Sequence, residues 1–393
     1  MKKRHIDVIS KYFSPANAGI EVNITQTYKI LAQLGWDITI HTSRNTLTEN
    51  DVLSPTDEIL GMHVTRYKFR RIFGFFPRLN WESTDLVCFH NFNVFFVFIL
   101  LYIDFLKLIG RKRFSVVITP HGGFNPEWSI YSKLMVMIKK TYHYTLGTFL
   151  INLVVDKVRA VSEWERHEII SKGIKEEKVV TISNGLEDEA YQDVDKLASP
   201  EIKQKVKSYH RYIIQIGRVY PIKNYETTIR TLPQIPSDVK YIIVGGVEGN
   251  GNYLTNLKKL ISELKLENRV VFFGIARGID KYYLIKHAQI MVHMAIWESF
   301  CNVVHEGLSQ GLVCIVANAY ALPYLIKDNV NGYLVNTFDN KTLSTKINYV
   351  LKNIGLKEIL AMKKRNREFG LQDSWRSVAG RMNLLYRSLL IKP

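Results

Sequence analysis

Twice along the chain, short runs rich in β-branched and aromatic residues end in glycine, proline or asparagine and give way to segments of helical periodicity. The first series opens with IDVIS (6–10), a loop KYFSPANAG, and a helical pattern over about 20–34 closed by Gly35. WDITIHT (36–42) follows as a second strand. That order is a βαβ unit, which requires a parallel sheet with crossover helices. LVCFH (86–90), SVVITP (115–120), KVRAVS (157–162) and VVTISNG (179–185) continue the series. A second series starts at RYIIQIG (211–217) and runs through YIIVGG (241–246), RVVFFG (269–274), QIMVHMA (289–295), LVCIVAN (312–318) and GYLVN (332–336). The expected fold class is α/β, with two Rossmann-like, doubly wound domains facing a cleft. In such sheets ligands bind outside the carboxyl ends of the strands, at the point where strand order reverses.

At 393 residues the chain suits two domains. Between the two series, EDEAYQDVDKLASPEIKQKVK (187–207) is polar and lacks strand runs, so it reads as a linker or domain edge. The expected domains are therefore 1–195 and 205–370. Asp193 and Asp195 have a D-x-D spacing that can hold a divalent metal, but in a charged linker the signal is weak, and no metal is expected.

The balance of 53 lysines and arginines against 36 acids gives a formal charge of +17. Nucleic acid, anionic lipid and phosphorylated small molecules are the partner classes this admits. No recognition-helix pattern or zinc site accompanies the charge, so nucleic acid ranks last. RYKFRRIFGFFPR (66–78) interleaves five basic residues with aromatics and contains no acid. It reads either as an interface to an anionic membrane or as a strand followed by a loop with a solvated basic face. VFFVFILLYIDFLKLIG (94–110) is shorter than a comfortable span and carries Asp104 and Lys107, so it reads as a buried or membrane-touching helix. The start, MKKRHIDVIS, suits a first strand better than a secretory segment. Three widely spaced cysteines (Cys88, Cys301, Cys314) provide no disulfide framework, so a reducing, cytoplasmic setting is expected.

The residues with chemical potential lie at strand ends of the second series. Arg218 and Lys223, five apart on a strand-to-helix loop, suit a diphosphate. Gly245 and Gly246 allow either close approach of backbone to a ligand or a plain tight turn. WESFCNVVHEGLSQG (297–311) places Glu298 in a loop ahead of a helix expected from Cys301 or Asn302 to Gly311. The amides of Asn302, Val303 and Val304 fall in its first turn, where backbone and dipole favour an anion. Glu306 lies one turn further in. The two glutamates are either ordinary surface acids or acceptors for ligand hydroxyls.

Ordered motifs sharpen this reading. G-R-x-x-x-x-K-N (217–224), E-S-F-x-x-x-x-x-E (298–306) and D-x-V-N-G-Y-L-V (328–335) resemble the GT-B-fold glycosyltransferases of family 4, which are retaining enzymes. S-P-A-N-A-G-I-E (14–21), T-P-H-G-G (119–123), A-V-S-E (160–163) and I-S-N-G (182–185) extend the resemblance over nearly the whole chain. It implies that Arg218 and Lys223 bind the donor diphosphate, Glu306 the donor ribose, and Glu298 the transferred sugar. It places Ile275 at the base, Gly19 in a loop beside the phosphates, and His121 at the reaction centre. It also implies a last helix, about 374–393, that packs back on the first domain. The chain departs from the family at Cys301, where glycine is usual, at Ala18, often a second glycine, and at Tyr324, where an acid is common.

The expected reaction is metal-independent transfer from a UDP- or GDP-linked sugar by front-face attack, with no cofactor beyond the donor. The expected acceptor is a glycan or a lipid-linked molecule, in cell-surface polysaccharide or glycolipid synthesis, with the protein peripheral at the cytoplasmic face of an anionic membrane. The competing reading, supported only by Cys301 and Tyr324, is a catalytically silent sugar-nucleotide-binding subunit that supports a partner enzyme. A GT-B epimerase or an inverting transferase fits the spacing of the two glutamates less well.

Overall fold

The computed structural model describes residues 3–16, 18–46, 49–70, 74–111, 114–247 and 251–390. Two compact units emerge, Met1–Asn184 with Trp375–Pro393, and Gly185–Ser374.

The first unit is built on an eight-stranded sheet. Its strands are β1 (His5–Ile9), β2 (Asp37–Ser43), β3 (Thr56–Ile59), β4 (Met62–Tyr67), β5 (Leu86–His90), β6 (Ser115–Thr119), β7 (Lys157–Ala160) and β8 (Val179–Thr181). Their order is β3-β4-β2-β1-β5-β6-β7-β8, and every pairing is parallel except β3 with β4. The β3–β4 hairpin goes beyond the sequence expectation. It turns at Leu60 and Gly61, both at positive φ (53° and 76°), a conformation suited to a two-residue hairpin that leucine does not advertise.

Among the described residues, five α-helices connect these strands: α1 (Gly19–Gln33), α2 (Val97–Leu108), α3 (Lys133–Tyr144), α4 (Leu146–Val154) and α5 (Glu163–Ser171). One apolar layer joins α2 and α4 to the sheet through Ile99, Ile103, Leu150 and Ile151. The other joins α1 to the C-terminal helix (Trp375–Leu390) through Ile24, Tyr28, Leu31, Trp375, Val378, Met382 and Tyr386. Each large side chain so buried contributes roughly 1.5–3 kcal/mol. Polar contacts fix the register of this helix: Trp36 Nε1 donates to Asn383 Oδ1 at 2.8 Å, and the Tyr28 and Tyr386 hydroxyls are 3.0 Å apart.

The second unit has a six-stranded, wholly parallel sheet of β9 (Arg211–Ile216), β10 (Val239–Val244), β11 (Val270–Gly274), β12 (Ile290–His293), β13 (Val313–Ala317) and β14 (Gly332–Val335). The order β11-β10-β9-β12-β13-β14 reverses between β9 and β12, so the loops after those two strands flank the switch point. The helices are α6 (Val194–Leu197), α7 (Pro200–Tyr209), α8 (Tyr225–Thr231), α9 (Asn252–Glu263), α10 (Gly278–Lys286), α11 (Asn302–Ser309), α12 (Leu322–Leu325), α13 (Asn340–Lys352) and α14 (Lys357–Gly370); the C-terminal helix is α15.

One expectation needs correction. The border at 195 moves to Asn184–Gly185, because the segment read as a linker folds onto the second unit. Ala190, Val194, Ala198, Ile202 and Val206, spaced by four, are buried in that unit's core. Asp195 is occupied by Lys286 (2.6 Å) and His287 (2.8 Å), and Asp193 by Lys196 (3.3 Å). The segment 66–78 is not a row of exposed aromatics but follows its other reading, a strand (β4, to Tyr67) and then a loop on which Lys68, Arg70 and Arg78 are exposed. Arg66 is buried and donates to Asp57 and to the Ser14 carbonyl. Tyr67 stacks on Phe75 and Phe69 packs against Phe95. Phe76 is exposed, and residues 71–73 lie outside the described residues.

The 94–110 segment divides by face. Ile99, Leu100, Ile103 and Leu106 are buried, whereas Phe98, Leu101, Phe105 and Leu108 are exposed. Among the described residues, no helix is long and apolar enough to cross a membrane.

Candidate active site

The loop after β9 is shaped by close packing. Gly217 donates to the Val244 carbonyl at 2.9 Å and Val219 to that of Gly246 at 2.8 Å, which ties this loop to the one after β10. A Cβ on Gly245 would lie 1.9 Å from the Gly217 carbonyl oxygen, so only glycine fits there. That is a structural demand beyond the tight-turn alternative. Asn224 ends the loop in the left-handed conformation (φ 49°, ψ 54°), which asparagine tolerates. Its amide donates to the carbonyls of Met294 and Thr337 at 3.0 and 2.9 Å, clamping the turn. Arg218 is exposed on this loop, and Lys223 is largely buried.

The loop after β12 meets it. Ile296 donates to the Ile222 carbonyl at 2.8 Å, and Lys223 Nζ donates to Glu298 Oε1 at 2.5 Å. His293, wholly buried at the end of β12, places Nε2 2.8 Å from the same carboxylate oxygen. Burial pushes the Glu298 carboxyl up, but the Lys223 ammonium and the His293 hydrogen bond outweigh it and hold the group at about 2. Burial pulls His293 down from its usual value, against the pull of Glu298, which favours the neutral imidazole. The result is an ionised carboxylate and an ammonium at the switch point, with side-chain exposures of 13% and 16%.

Cys301 explains the glycine usual at its position. It precedes α11 in the left-handed conformation (φ 80°, ψ 73°), which costs an L-residue energy that glycine avoids. Its side chain is buried and lies against the Val304 amide, so the first turn of α11 is not bare backbone at that point. Burial raises the thiol well above its ordinary value, which makes it a poor nucleophile. His293, Glu298 and Cys301 bring their ligand atoms within 4.8 Å of one another. A metal ion among them would have to displace the Lys223 ammonium, which already compensates Glu298.

Glu306 lies four residues after Asn302, on the same face of α11. Its Oε1 accepts from Lys281 Nζ at 3.1 Å, and Lys281 also reaches Glu187 Oε2 at 2.8 Å. Burial raises the Glu306 carboxyl, with Lys281 opposing. Ile275, next to Gly274 at the end of β11, is exposed, and its side chain flanks Gly246. Thus the second-unit residues Arg218, Lys223, Gly245, Glu298, Asn302, Val303, Val304 and Glu306 collect on the loops after β9, β10 and β12 and on α11. Sequence reasoning missed His293, Lys281 and Glu187. A histidine inside the apolar run QIMVHMA was the one available signal.

In the first unit, Gly19 starts α1 and Ala18 donates to Glu21 Oε2 at 3.1 Å as part of the cap. His121 follows β6 at φ 53°, with Nε2 2.9 Å from His90 Nδ1. Burial and nearby Arg159 hold the His121 imidazole low, at about 3, hence neutral. A Cβ on Gly123 would lie 2.9 Å from the Pro120 carbonyl oxygen, which accounts for the second glycine of T-P-H-G-G. Glu165 fixes this turn by accepting from the Gly122 amide and, at 2.7 Å, from that of Val161.

Comparisons with known proteins agree with this architecture. The family model described as "Glycosyltransferase Family 4" matches residues 18–190, and that described as "Glycosyl transferases group 1" matches residues 199–369. An uncharacterized glycosyltransferase of Methanocaldococcus jannaschii is 24% identical over 388 residues, which span 93% of this chain and 94% of that protein. Among solved structures, Anabaena HepE in complex with UDP-glucose is similar with a TM-score of 0.73 and 18% identity, covering 98% of this chain and 99% of that one. WaaG, a glycosyltransferase involved in lipopolysaccharide biosynthesis, is similar with a TM-score of 0.69 and 12% identity, over 97% and 99% of the two chains. With a family model matching each half and two Rossmann-like sheets in sequence, the chain belongs to the family-4 type of glycosyltransferases of the GT-B fold.

Proposed function

We propose that the protein transfers a sugar from a UDP- or GDP-linked donor to a glycan or lipid-linked acceptor, with retention of anomeric configuration and without a metal ion. The observation that carries this is the cation–carboxylate cluster at the β9/β12 switch point, where an ammonium and an ionised acid share one small volume. HepE, solved with UDP-glucose, favours the uridine donor. WaaG, involved in lipopolysaccharide biosynthesis, favours a cell-surface glycan or glycolipid as acceptor.

In this reading Arg218, Lys223 and the amides of Asn302 and Val303 receive the negative charge that grows on the departing diphosphate. Such preorganised charge is usually the largest catalytic contribution. The Val304 amide shares that role with its contact to Cys301. Gly245 lets the backbone approach the phosphates, and Ile275 borders the base. Glu306 accepts from the ribose hydroxyls. Glu298, ionised across the working pH range, accepts from hydroxyls of the sugar and stabilises positive character at its anomeric carbon. His121, neutral, hydrogen-bonds the sugar, and a donor phosphate oxygen takes the proton of the acceptor hydroxyl during front-face attack.

We also propose peripheral association with an anionic membrane surface, now assigned to α2, α3 and α4. These helices expose Leu101, Phe105, Leu134, Met137, Ile138 and Phe149, with Lys133 and Lys140 also exposed on α3. Apolar insertion beside lysines suits an anionic interface.

Retention is tested by proton NMR of the product formed with the active donor. The donor's anomeric configuration is expected in the first product detected. The opposite configuration would overturn the front-face mechanism.

A further inference from the structure

Glu306 carries an asymmetry that the donor-site reading does not use. Oε1 is bonded to Lys281, while Oε2 is buried and has no hydrogen-bond partner among the described residues. A buried carboxylate oxygen without a donor costs stability, and a functional role accounts for its retention. Lys281 projects from α10 and is itself held by Glu187, which lies outside α11 and far away in sequence. The ammonium therefore sits between two carboxylates, one that anchors it and one that it orients. The Lys281 side chain is 12% exposed, as is that of Glu306, which limits both the screening of this pair and the freedom of the glutamate to rotate.

We infer that Lys281 is a positioning residue: anchored by Glu187, it fixes the orientation of Glu306 so that Oε2 accepts the hydroxyls of the donor ribose, and it thereby sets the preference for ribonucleotide over deoxyribonucleotide donors. This rests on the ribose role proposed for Glu306. The chemistry is that of a charged acceptor facing neutral hydroxyl donors, a stronger pairing than one between neutral groups. Without the ammonium, burial and the neighbouring Glu187 carboxylate both raise the Glu306 carboxyl. A protonated carboxyl loses the charge assistance, so discrimination should become dependent on pH.

The test is calorimetric binding of UDP and GDP, and of the 2′-deoxy and 3′-deoxy analogues of whichever binds, to the full-length protein. The wild type is expected to prefer the ribonucleotide by on the order of tenfold or more, as for loss of a hydrogen bond to a charged group. Lys281→Met is expected to cut that preference to within about threefold at pH 7 and to regain part of it at higher pH, whereas Lys281→Arg retains it. Because Lys281→Met strands two acids, the double variant Glu187→Gln/Lys281→Gln is measured beside it, with the same loss expected. A wild type indifferent to the deoxy analogues overturns the ribose role of Glu306 and this inference together. A wild type that discriminates, with folded Lys281 variants that discriminate equally at every pH, overturns this inference alone.

Discussion

Replacing Lys223 with methionine removes the ammonium 2.5 Å from Glu298 and leaves a carboxylate with 13% side-chain exposure that, among the described residues, keeps His293 as its side-chain partner. Glu298 is lowered from 4.5 to about 2, a difference of 2.5 pH units, worth roughly 3 kcal/mol of native-state stability at neutral pH. That agrees with the roughly 3–5 kcal/mol lost when one member of a buried ion pair is removed. The sign follows from the depressed value: the stabilisation is present above about 4.5 and is lost as pH falls toward 2. Lys223→Met is therefore expected to lower stability at pH 7 by about 3 kcal/mol, and the gap to wild type should narrow as pH drops below 4.5. Glu298→Gln in the same background removes the stranded charge and should recover more than about 1 kcal/mol of the loss, a coupling typical of residues in contact. Urea unfolding of the wild type, both single variants and the double variant measures the cycle. Donor turnover should be lost in all three variants. A Lys223→Met protein as stable as wild type at pH 7, or single effects that simply add in the double variant, would refute the reasoning.

Gly245→Ala brings a methyl to 1.9 Å from the Gly217 carbonyl oxygen, where ordinary contact begins at 3.4 Å. The resulting shift of the β9 loop should cost roughly 1–3 kcal/mol and weaken nucleotide binding through Arg218 and Lys223, as read by thermal melts and calorimetry; unchanged values would show that the loops separate freely. Met137→Glu with Phe149→Glu should reduce co-sedimentation with phosphatidylglycerol vesicles at low salt while leaving turnover of a water-soluble acceptor unchanged, and equal sedimentation would remove the membrane assignment from α3 and α4.

The alternation of apolar runs made both sheets legible, since strands such as β5 and β9 are buried on both faces and write themselves as continuous hydrophobic stretches. The hairpin of β3 and β4 was hidden because Thr56, Asp57 and Glu58 are exposed and the turn uses leucine where glycine or asparagine is the usual sign. The segment 187–207 concealed its packing for a related reason. Its buried residues, Ala190, Val194, Ala198, Ile202 and Val206, follow a four-residue spacing diluted by charge. In the candidate site, motif spacing singled out Lys223, Glu298 and Glu306 because each lies on the loop or short helix that directly follows one strand. Lys281, Glu187 and His293 become neighbours of those residues only through the tertiary fold. Cys301 was legible as a departure, but its left-handed backbone, the reason glycine is usual there, required coordinates.

Whether the second unit handles a nucleotide sugar is open to direct measurement. Purified protein incubated with a panel of UDP- and GDP-linked sugars and a mixed glycan and lipid-linked acceptor pool, with release of nucleoside diphosphate as the readout, addresses this directly. Release from at least one donor by the wild type, reduced about tenfold or more at subsaturating donor by Glu306→Ala, is the expected result, because a hydrogen bond between a ribose hydroxyl and a charged carboxylate is worth roughly 1.5–3 kcal/mol. Release that Glu306→Ala leaves at the wild-type rate, or no release from any donor, would contradict it.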